Sequence, residues 1–233
     1  MKETILFGAI TLLAGSLLAA DATPQDAVKD AAKSLGEKSN YSWTTTIDLG
    51  GDMSGTIEGK AEKGGATTLA LSAAGQELNA VLKGDKGVVK IDDNWNTLKS
   101  VSEDKDQQEP MRIAARILQT QKAPAAEAAD LASKSKDLKL ADGVYYSDQT
   151  AEGIKDLLTI IKQAAGGSLE VSGAKWSVKF WLKDGLISKY ESTMTGTAKF
   201  DGDDHDVNLK NTVLIKEVGT TKVTVPAEAA KKL

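Results

Sequence analysis

The sequence predicts an α+β fold: a strongly curved antiparallel sheet that forms an incomplete (half) β-barrel, with helices packed on its concave face. Short runs of alternating apolar and polar residues recur between residues 41 and 91 and are separated by glycine-containing turns. Alternating runs of about twelve residues or more return after residue 170, and an antiparallel sheet of such long strands must coil. Helical spacing of apolar residues fills the part between these two groups of strands.

The N-terminus has the pattern of a cleavable signal peptide. Lys2 supplies the positive charge, Ile5 to Leu18 is an apolar run too short to span a bilayer, and Ala20-Asp21-Ala22 has the form that signal peptidase cuts after. Cleavage two residues earlier is one alternative, and a buried N-terminal helix is another. We expect residues 1–22 to be removed and residues 23–233 to form a single domain in the periplasm or outside the cell.

Composition limits the classes of function. The 233 residues carry a formal net charge of −4, and removal of the leader takes away one basic and two acidic residues. The chain therefore offers no basic surplus for nucleic acid. Cysteine is absent, so neither a disulfide nor the lipidated cysteine of a bacterial lipoprotein is expected. We expect a soluble protein without a transmembrane span, and its two arginines, Arg112 and Arg116, provide few bidentate clamps for anions.

After the leader, a helix and a meander of short strands are predicted. Thr23 caps the helix, Pro24 takes its first position and Gly36 ends it, with Val28, Ala31, Ala32 and Leu35 on the apolar face. Five strands then follow, each with residues that share one face: Tyr41, Trp43, Thr45, Ile47 and Leu49; Ile57 and Ala61; Leu69, Leu71 and Ala73; Leu78, Ala80 and Leu82; Val89 and Ile91, ending near Trp95. Their short connections indicate antiparallel pairing.

The middle of the chain is predicted to be mainly helical. Ser102 to Gln108 is a charged loop, and helices begin at Pro110 and at Pro124. A short strand at Val144 to Ser147 precedes a helix that is capped by Thr150. The apolar face of that last helix is formed by Ile154, Leu157, Leu158 and Ile161, and Gly166-Gly167 ends it.

Three long strands are predicted at the C-terminal end. The first has Trp176, Val178, Phe180 and Leu182 on one face; the second has Leu186, Tyr190, Met194, Ala198 and Phe200; the third has Val207, Leu209, Val213 and Ile215. Asp184-Gly185 is the two-residue turn of a hairpin, and Asp201 to His205 forms the next turn. Val223 to Pro226 is predicted to close the sheet.

This order of elements resembles the lipoprotein-carrier superfamily of the bacterial envelope. The resemblance lies in a capped helix before Tyr41-Ser42-Trp43-Thr44, in the hairpin Phe180-Trp181-Leu182-Lys183-Asp184-Gly185, and in the ending Thr220 to Pro226. The superfamily includes LolA-type carriers, mycobacterial lipid carriers of the LppX and LprG type, and sensor domains of sigma-factor regulators. The resemblance implies an incomplete barrel whose helical lid covers an apolar cavity. The arginine that latches the lid in LolA-type carriers has no counterpart on a predicted strand here, and uncharacterised secreted proteins of the same pattern are more similar.

The concave face is the candidate site for an apolar ligand. Its predicted lining is Trp43, Ile47, Trp176, Val178, Phe180, Tyr190 and Met194 from the strands, with Ile154, Leu157, Leu158 and Ile161 from the lid helix. Burial of one acyl chain of about sixteen carbons would contribute on the order of 10 kcal/mol, at ~0.8 kcal/mol per methylene. The same residues also suit an ordinary core packed to native density, so both interpretations stay open.

Signals for catalysis or metal binding are weak. The one histidine, His205, lies in an acidic stretch at a predicted hairpin tip, where a solvated turn is a sufficient role. An EF-hand fails because Asp206 stands where the loop needs glycine and Thr212 where it needs a bidentate glutamate, although weak cation binding by the tip is an alternative. No hydrolase, zincin or P-loop spacing occurs. The sequence predicts a non-enzymatic protein without cofactor or metal.

Two functions follow as hypotheses. The first is a soluble exported carrier-like protein that binds a lipid or lipidated ligand between curved sheet and helical lid. The alternative is an envelope sensor or assembly factor that binds another protein through the long hairpin and Trp181, which shares a face with Lys179 and Lys183. Alternatively, the aliphatic stems of these two lysines cover the Trp181 indole ring. An enzyme with dispersed carboxylates is the third and weakest hypothesis.

Overall fold

One antiparallel sheet organises the protein. The computed structural model describes residues 23–48, 54–73, 75–164, 170–200 and 203–233. Within them the strands are β1 Asn40–Asp48, β2 Ser54–Glu62, β3 Thr67–Ala73, β4 Gln76–Lys83, β5 Lys86–Ile91, β6 Asn94–Thr97, β7 Lys139–Ala141, β8 Val144–Asp148, β9 Glu170–Lys183, β10 Leu186–Phe200 and β11 Asp203–Lys216. The helices are α1 Pro24–Gly36, α2 Leu98–Glu103, α3 Glu109–Thr120, α4 Pro124–Ser133, α5 Ala151–Ala164 and α6 Ala227–Ala230.

The topology confirms the predicted fold class. Among the described residues, eleven strands follow the order β6-β5-β4-β3-β2-β1-β11-β10-β9-β8-β7, and the short strands β6 and β7 form the two edges of an open sheet. Pairing of β1 with β11 joins the N-terminal meander to the long C-terminal strands, with Trp43 opposite Ile215. On the concave side, α1 packs against α4 and β10. The predicted signal peptide, the helix end at Gly166-Gly167 and the tip residues 201–202 lie outside the described part of the chain.

The first helix has the predicted ends and the predicted buried face. Thr23 Oγ1 accepts a hydrogen bond of 3.1 Å from the Asp26 backbone N–H, and Pro24 occupies the first turn. Val28, Ala31, Ala32 and Leu35 are all buried. Their spacing of three and four residues places them on one side of α1, which the concave face of the sheet covers.

Three short elements differ from the prediction. Residues 92–93 form a turn with Asp92 in the left-handed region (φ 52°), so Trp95 belongs to a separate strand, β6. The edge strand β7 pairs with β8, and α2 occupies the start of the predicted charged loop. Each of these elements has six residues or fewer, which is too short for a periodic pattern to identify it.

A bulge changes which face of β10 is buried. The Asp184-Gly185 turn is confirmed, because both residues adopt the positive φ (52° and 73°) that the hairpin turn needs. Leu186 was expected to point inward, but the pairing with β9 shifts between Ile187 and Lys189. Ile187 is therefore buried before the shift and Tyr190 after it. One extra residue inverts the alternation, which explains the wrong prediction for Leu186.

The C-terminal segment corrects another expectation. Residues 223–226 form no strand, because Glu217 turns the chain with a φ of 48° at the end of β11. Val225 packs instead against a second apolar cluster with Ala66, Val81, Val88, Trp95, Ala229 and Leu233. Val81 and Val88 point away from the main core, which contains their neighbours Ala80 and Val89. The C-terminal segment thus covers part of the convex face.

The described part of the predicted turn from Asp201 to His205 also differs from its prediction. Asp203 to Asp206 belong to β11, where His205 lies exposed opposite Ala198. The alternating strand pattern therefore continues closer to the tip than the polar sequence indicates. None of the helices in the described ranges combines the length and the hydrophobicity of a membrane-spanning segment.

Candidate functional site

The half of the concave face under α1 and α4 is a packed core. Trp43, Val178, Phe180 and Tyr190, which were predicted to line a cavity, are buried there beside the apolar faces of both helices. The Trp43 indole lies directly over Gly59 on the neighbouring strand. Ile47 is half-buried at the border of the same cluster. In this half of the concave face, these residues contribute to the hydrophobic core.

Two tyrosines fix α4 on the sheet. The Tyr190 hydroxyl donates a hydrogen bond of 2.6 Å to Glu127 Oε2. The Ala125 backbone N–H donates to the Tyr41 hydroxyl oxygen at 3.4 Å, at the start of a helix that has no side-chain cap. Burial raises the pKa of Glu127, while the Tyr190 hydrogen bond and the charge of Lys122 act to lower it. Burial and the adjacent Glu127 raise the pKa of Tyr190 well above its usual value.

The raised pKa of Glu127 predicts a pH dependence of stability. Because the folded state holds this proton more tightly than the unfolded chain, the contribution of Glu127 is fully present below the usual pKa of 4.5. This contribution is lost as the pH rises through the higher pKa that Glu127 has in the folded state. We expect the free energy of unfolding of the wild type to fall, relative to that of Glu127→Gln, as the pH rises from about 4 to about 7.

Urea unfolding of both proteins across this pH range measures that difference. Glutamine keeps an oxygen that accepts from Tyr190 but does not titrate, so the variant isolates the carboxyl proton. A difference between the two proteins that stays constant with pH, or that changes in the opposite direction, would contradict the assignment.

The other half of the concave side lies under α5, and the described residues fill it incompletely. Gly153 is the buried residue of α5, and its apolar residues Ile154, Leu157, Leu158 and Ile161 are only half-buried. A cavity of about 790 Å³, called here the α5 groove, lies between this helix and the ends of β9, β10 and β11. Ile154, Leu158, Ile161 and Val171 give it apolar walls, and its polar rim includes Lys155, Lys162, Glu170, Lys199 and Asp204.

A smaller cavity lies on the opposite side of α5. It has a volume of about 160 Å³ and is lined by Leu157, Ile160, Trp176, Ser192, Met194, Asn211 and Glu127, among others. Ser192 is 8% exposed. Asn211 Oδ1 is buried and has no hydrogen-bond partner among the described residues. This inner cavity therefore has apolar side chains from both α5 and the sheet, with the polar Ser192 and Asn211 among those of the sheet.

Polar contacts attach α5 to α4. Gln149, fully buried just before α5, donates to the Leu131 carbonyl at 3.2 Å, and Thr150 Oγ1 caps α5 by accepting from the Gly153 N–H at 3.1 Å. Lys134 Nζ lies 3.2 Å from Asp130 and 2.7 Å from Asp156 of α5. The hydrogen bond to Asp156 raises the pKa of Lys134. Polar groups thus supply much of the attachment of a helix with little apolar burial.

Removal of this ion pair should loosen α5 selectively. In Lys134→Met we expect backbone amide exchange in α5 to accelerate roughly two- to fivefold, because an accessible pair contributes up to about 1 kcal/mol. Global stability should change little. Lys231→Met, which removes the exposed pair with Glu228 on α6, is the matched control. Hydrogen exchange by mass spectrometry makes the comparison, and unchanged exchange in α5 would contradict the role of Lys134.

The eleven predicted lining residues thus fall into three groups. Trp43, Ile47, Val178, Phe180 and Tyr190 belong to the packed half; Trp176, Met194 and Leu157 line the inner cavity; Ile154, Leu158 and Ile161 line the α5 groove. The sequence interpretation missed Val171, Ser192 and Asn211, although alternation with Met194 and Val213 places the last two on the inner face. Within the described ranges, no three acidic or histidine side chains are placed to hold a metal ion.

No protein-family model matches the chain. No curated protein matches it either. Among solved structures, LprF from Mycobacterium bovis is similar, with 10% identity, a TM-score of 0.44, and coverage of 88% of this chain and 97% of LprF. The LolA superfamily protein NE2245 from Nitrosomonas europaea has 7% identity, a TM-score of 0.34 and coverage of 87% and 95%. The MucA/MucB complex from Pseudomonas aeruginosa has 12% identity and a TM-score of 0.29, with coverage of 90% of this chain and 96% of the matched chain. A LolA superfamily structure is thus among those to which this chain is similar.

Proposed function

We propose that this protein is an exported, carrier-like binding protein that holds a lipid or lipidated ligand by its acyl chain in the α5 groove. One observation carries the proposal: α5 turns Ile154, Leu158 and Ile161 toward a cavity of about 790 Å³ and leaves them half-buried. Apolar side chains on a helix normally contribute to stability by burial against a partner. An apolar ligand in the groove would complete that burial.

The size and lining of the groove fit such a ligand. Small-molecule sites commonly have volumes of roughly 300–1,000 Å³, largely apolar walls and a few polar groups. Charged side chains stand at the rim and leave the wall formed by Ile154, Leu158, Ile161 and Val171 apolar. An acyl chain would lie along this wall, and a polar head group would stay near the rim and water. The packed half under α4 then serves as the rigid support for the binding half.

Titration of the purified protein with a fluorescent fatty acid of about sixteen carbons tests this function. We expect saturable binding at one site per chain and competition by palmitate. Native mass spectrometry of protein purified without detergent should also show bound lipid. Absence of both saturable binding and bound lipid would overturn the proposal.

A further inference from the structure

The convex face of β7 to β11 concentrates positive charge. The outward positions of this region carry Lys139, Lys175, Lys179, Lys183, Lys189, Lys210 and Lys216, a set called here the convex lysine face. Asp148 and Glu191 lie between them, and Asp48 of β1 is the cross-strand partner of Lys210. Glu170, Asp204 and Asp206 are outward nearer the other ends of β9 and β11. The chain as a whole has a net charge of −4, so this surface is opposite in sign to the rest of the protein.

Few of these lysines are neutralised. Lys189 lies 2.6 Å and Lys210 lies 3.5 Å from the carboxylate of Glu191. Lys139, Lys175, Lys179 and Lys183 form no ion pair with the described residues, and β9 carries the last three on alternate outward positions around Ser177 and Trp181. Three lysines without an ion pair to the described residues therefore follow one another on the outward side of one strand.

Large apolar side chains lie among these lysines. Trp181 pairs across strands with Val144 on one side and with Lys189 on the other, and Lys189 Nζ lies 4.3 Å from the centre of the indole ring. Lys189 rather than Lys179 or Lys183 is thus the cation over this ring. Tyr146, opposite Lys179, is 40% exposed, and Leu214, opposite Lys189, is 44% exposed. The surface combines lysines with tryptophan, tyrosine and leucine.

We propose that the convex lysine face docks on an anionic phospholipid bilayer. Lysines near such a surface contribute about 1 kcal/mol each, and tryptophan and tyrosine favour the level of the lipid head groups. Both arginines lie on α3, so the face lacks the forked donors that fix a partner in one geometry. Mobile lysines on a broad sheet surface suit a fluid array of phosphates better than a shaped acidic protein.

Vesicle co-sedimentation tests the docking independently of ligand binding. We expect the purified protein to bind vesicles of equal parts phosphatidylglycerol and phosphatidylcholine, and to remain unbound with phosphatidylcholine alone. The double variant Lys179→Gln/Lys183→Gln should bind the anionic vesicles more than tenfold more weakly. Added salt should weaken wild-type binding as well.

The double variant Lys99→Gln/Lys105→Gln is the control, because it makes the same change in charge at exposed lysines in and after α2. It should bind the anionic vesicles as the wild type does. Failure of the wild type to bind them, or equal losses in both double variants, would overturn the proposal. If the protein bound an acidic protein but not the anionic vesicles, the convex lysine face would be assigned to a protein partner. That outcome would also overturn the proposal. Fatty-acid titration of the same variants reports separately on the α5 groove.

Discussion

Replacement of Gly59 by alanine is expected to destabilise the protein by roughly 1–3 kcal/mol, since an added methyl group would overpack the core. A Cβ at this position would lie well inside 3.0 Å of three ring atoms of Trp43. The indole is held between β2 and the helices, so the clash must displace either the ring or the strand. Urea unfolding followed by circular dichroism measures the loss of stability.

Gly55→Ala is the matched control on the same strand. A Cβ there would meet the Ala73 Cβ at 3.4 Å, which is an ordinary contact. Both variants make the same change in backbone freedom, so the difference between them isolates the packing of Trp43 on Gly59. Equal stability of the two variants would show that the indole can move freely and that this half of the concave side is not tightly packed.

Leu158→Glu is expected to weaken binding of the fluorescent fatty acid more than tenfold, with little change in melting temperature. The carboxylate would stand in the apolar wall of the α5 groove, where an acyl chain would leave it without a hydrogen-bond partner. Folding tolerates the change because Leu158 is only half-buried and glutamate favours helices.

Leu140→Glu makes the same substitution on β7, where the leucine is 52% exposed and lies outside the groove. It should bind the fatty acid as the wild type does. If Leu158→Glu bound the fatty acid with unchanged affinity, the α5 groove would be excluded as the binding site of the acyl chain, even if the protein binds lipid elsewhere.

Sequence patterns within a few residues correctly predicted the features that depend only on neighbouring residues. The cap at Thr23, the buried face of α1 and the Asp184-Gly185 turn depend on residues within a few positions of one another, and all three are confirmed. The inversion of faces at Ile187 could not be predicted in the same way. A bulge depends on how two strands pair, and nothing in the alternation of β10 alone indicates an extra residue.

The candidate site depends on packing between distant segments. The sequence therefore predicted the types of residue on the concave face, but not which of them line a cavity and which belong to the packed core. Phe180 and Ile154 are equally suited to a core or to an apolar site. Phe180 is fully buried in the half of the concave face under α1 and α4, whereas Ile154 belongs to a helix that ion pairs attach. Helical periodicity defines an apolar face without specifying how closely another element approaches it.

The pairing of β1 with β11 joins parts of the chain that are synthesised far apart in time. Lys216 Nζ, for example, donates to Thr44 Oγ1 across 172 positions of sequence. The first half of the sheet therefore lacks its neighbouring strand until nearly the whole polypeptide has left the ribosome. Such high contact order slows folding. Completion of the sheet therefore has to follow synthesis of the chain and cannot accompany it.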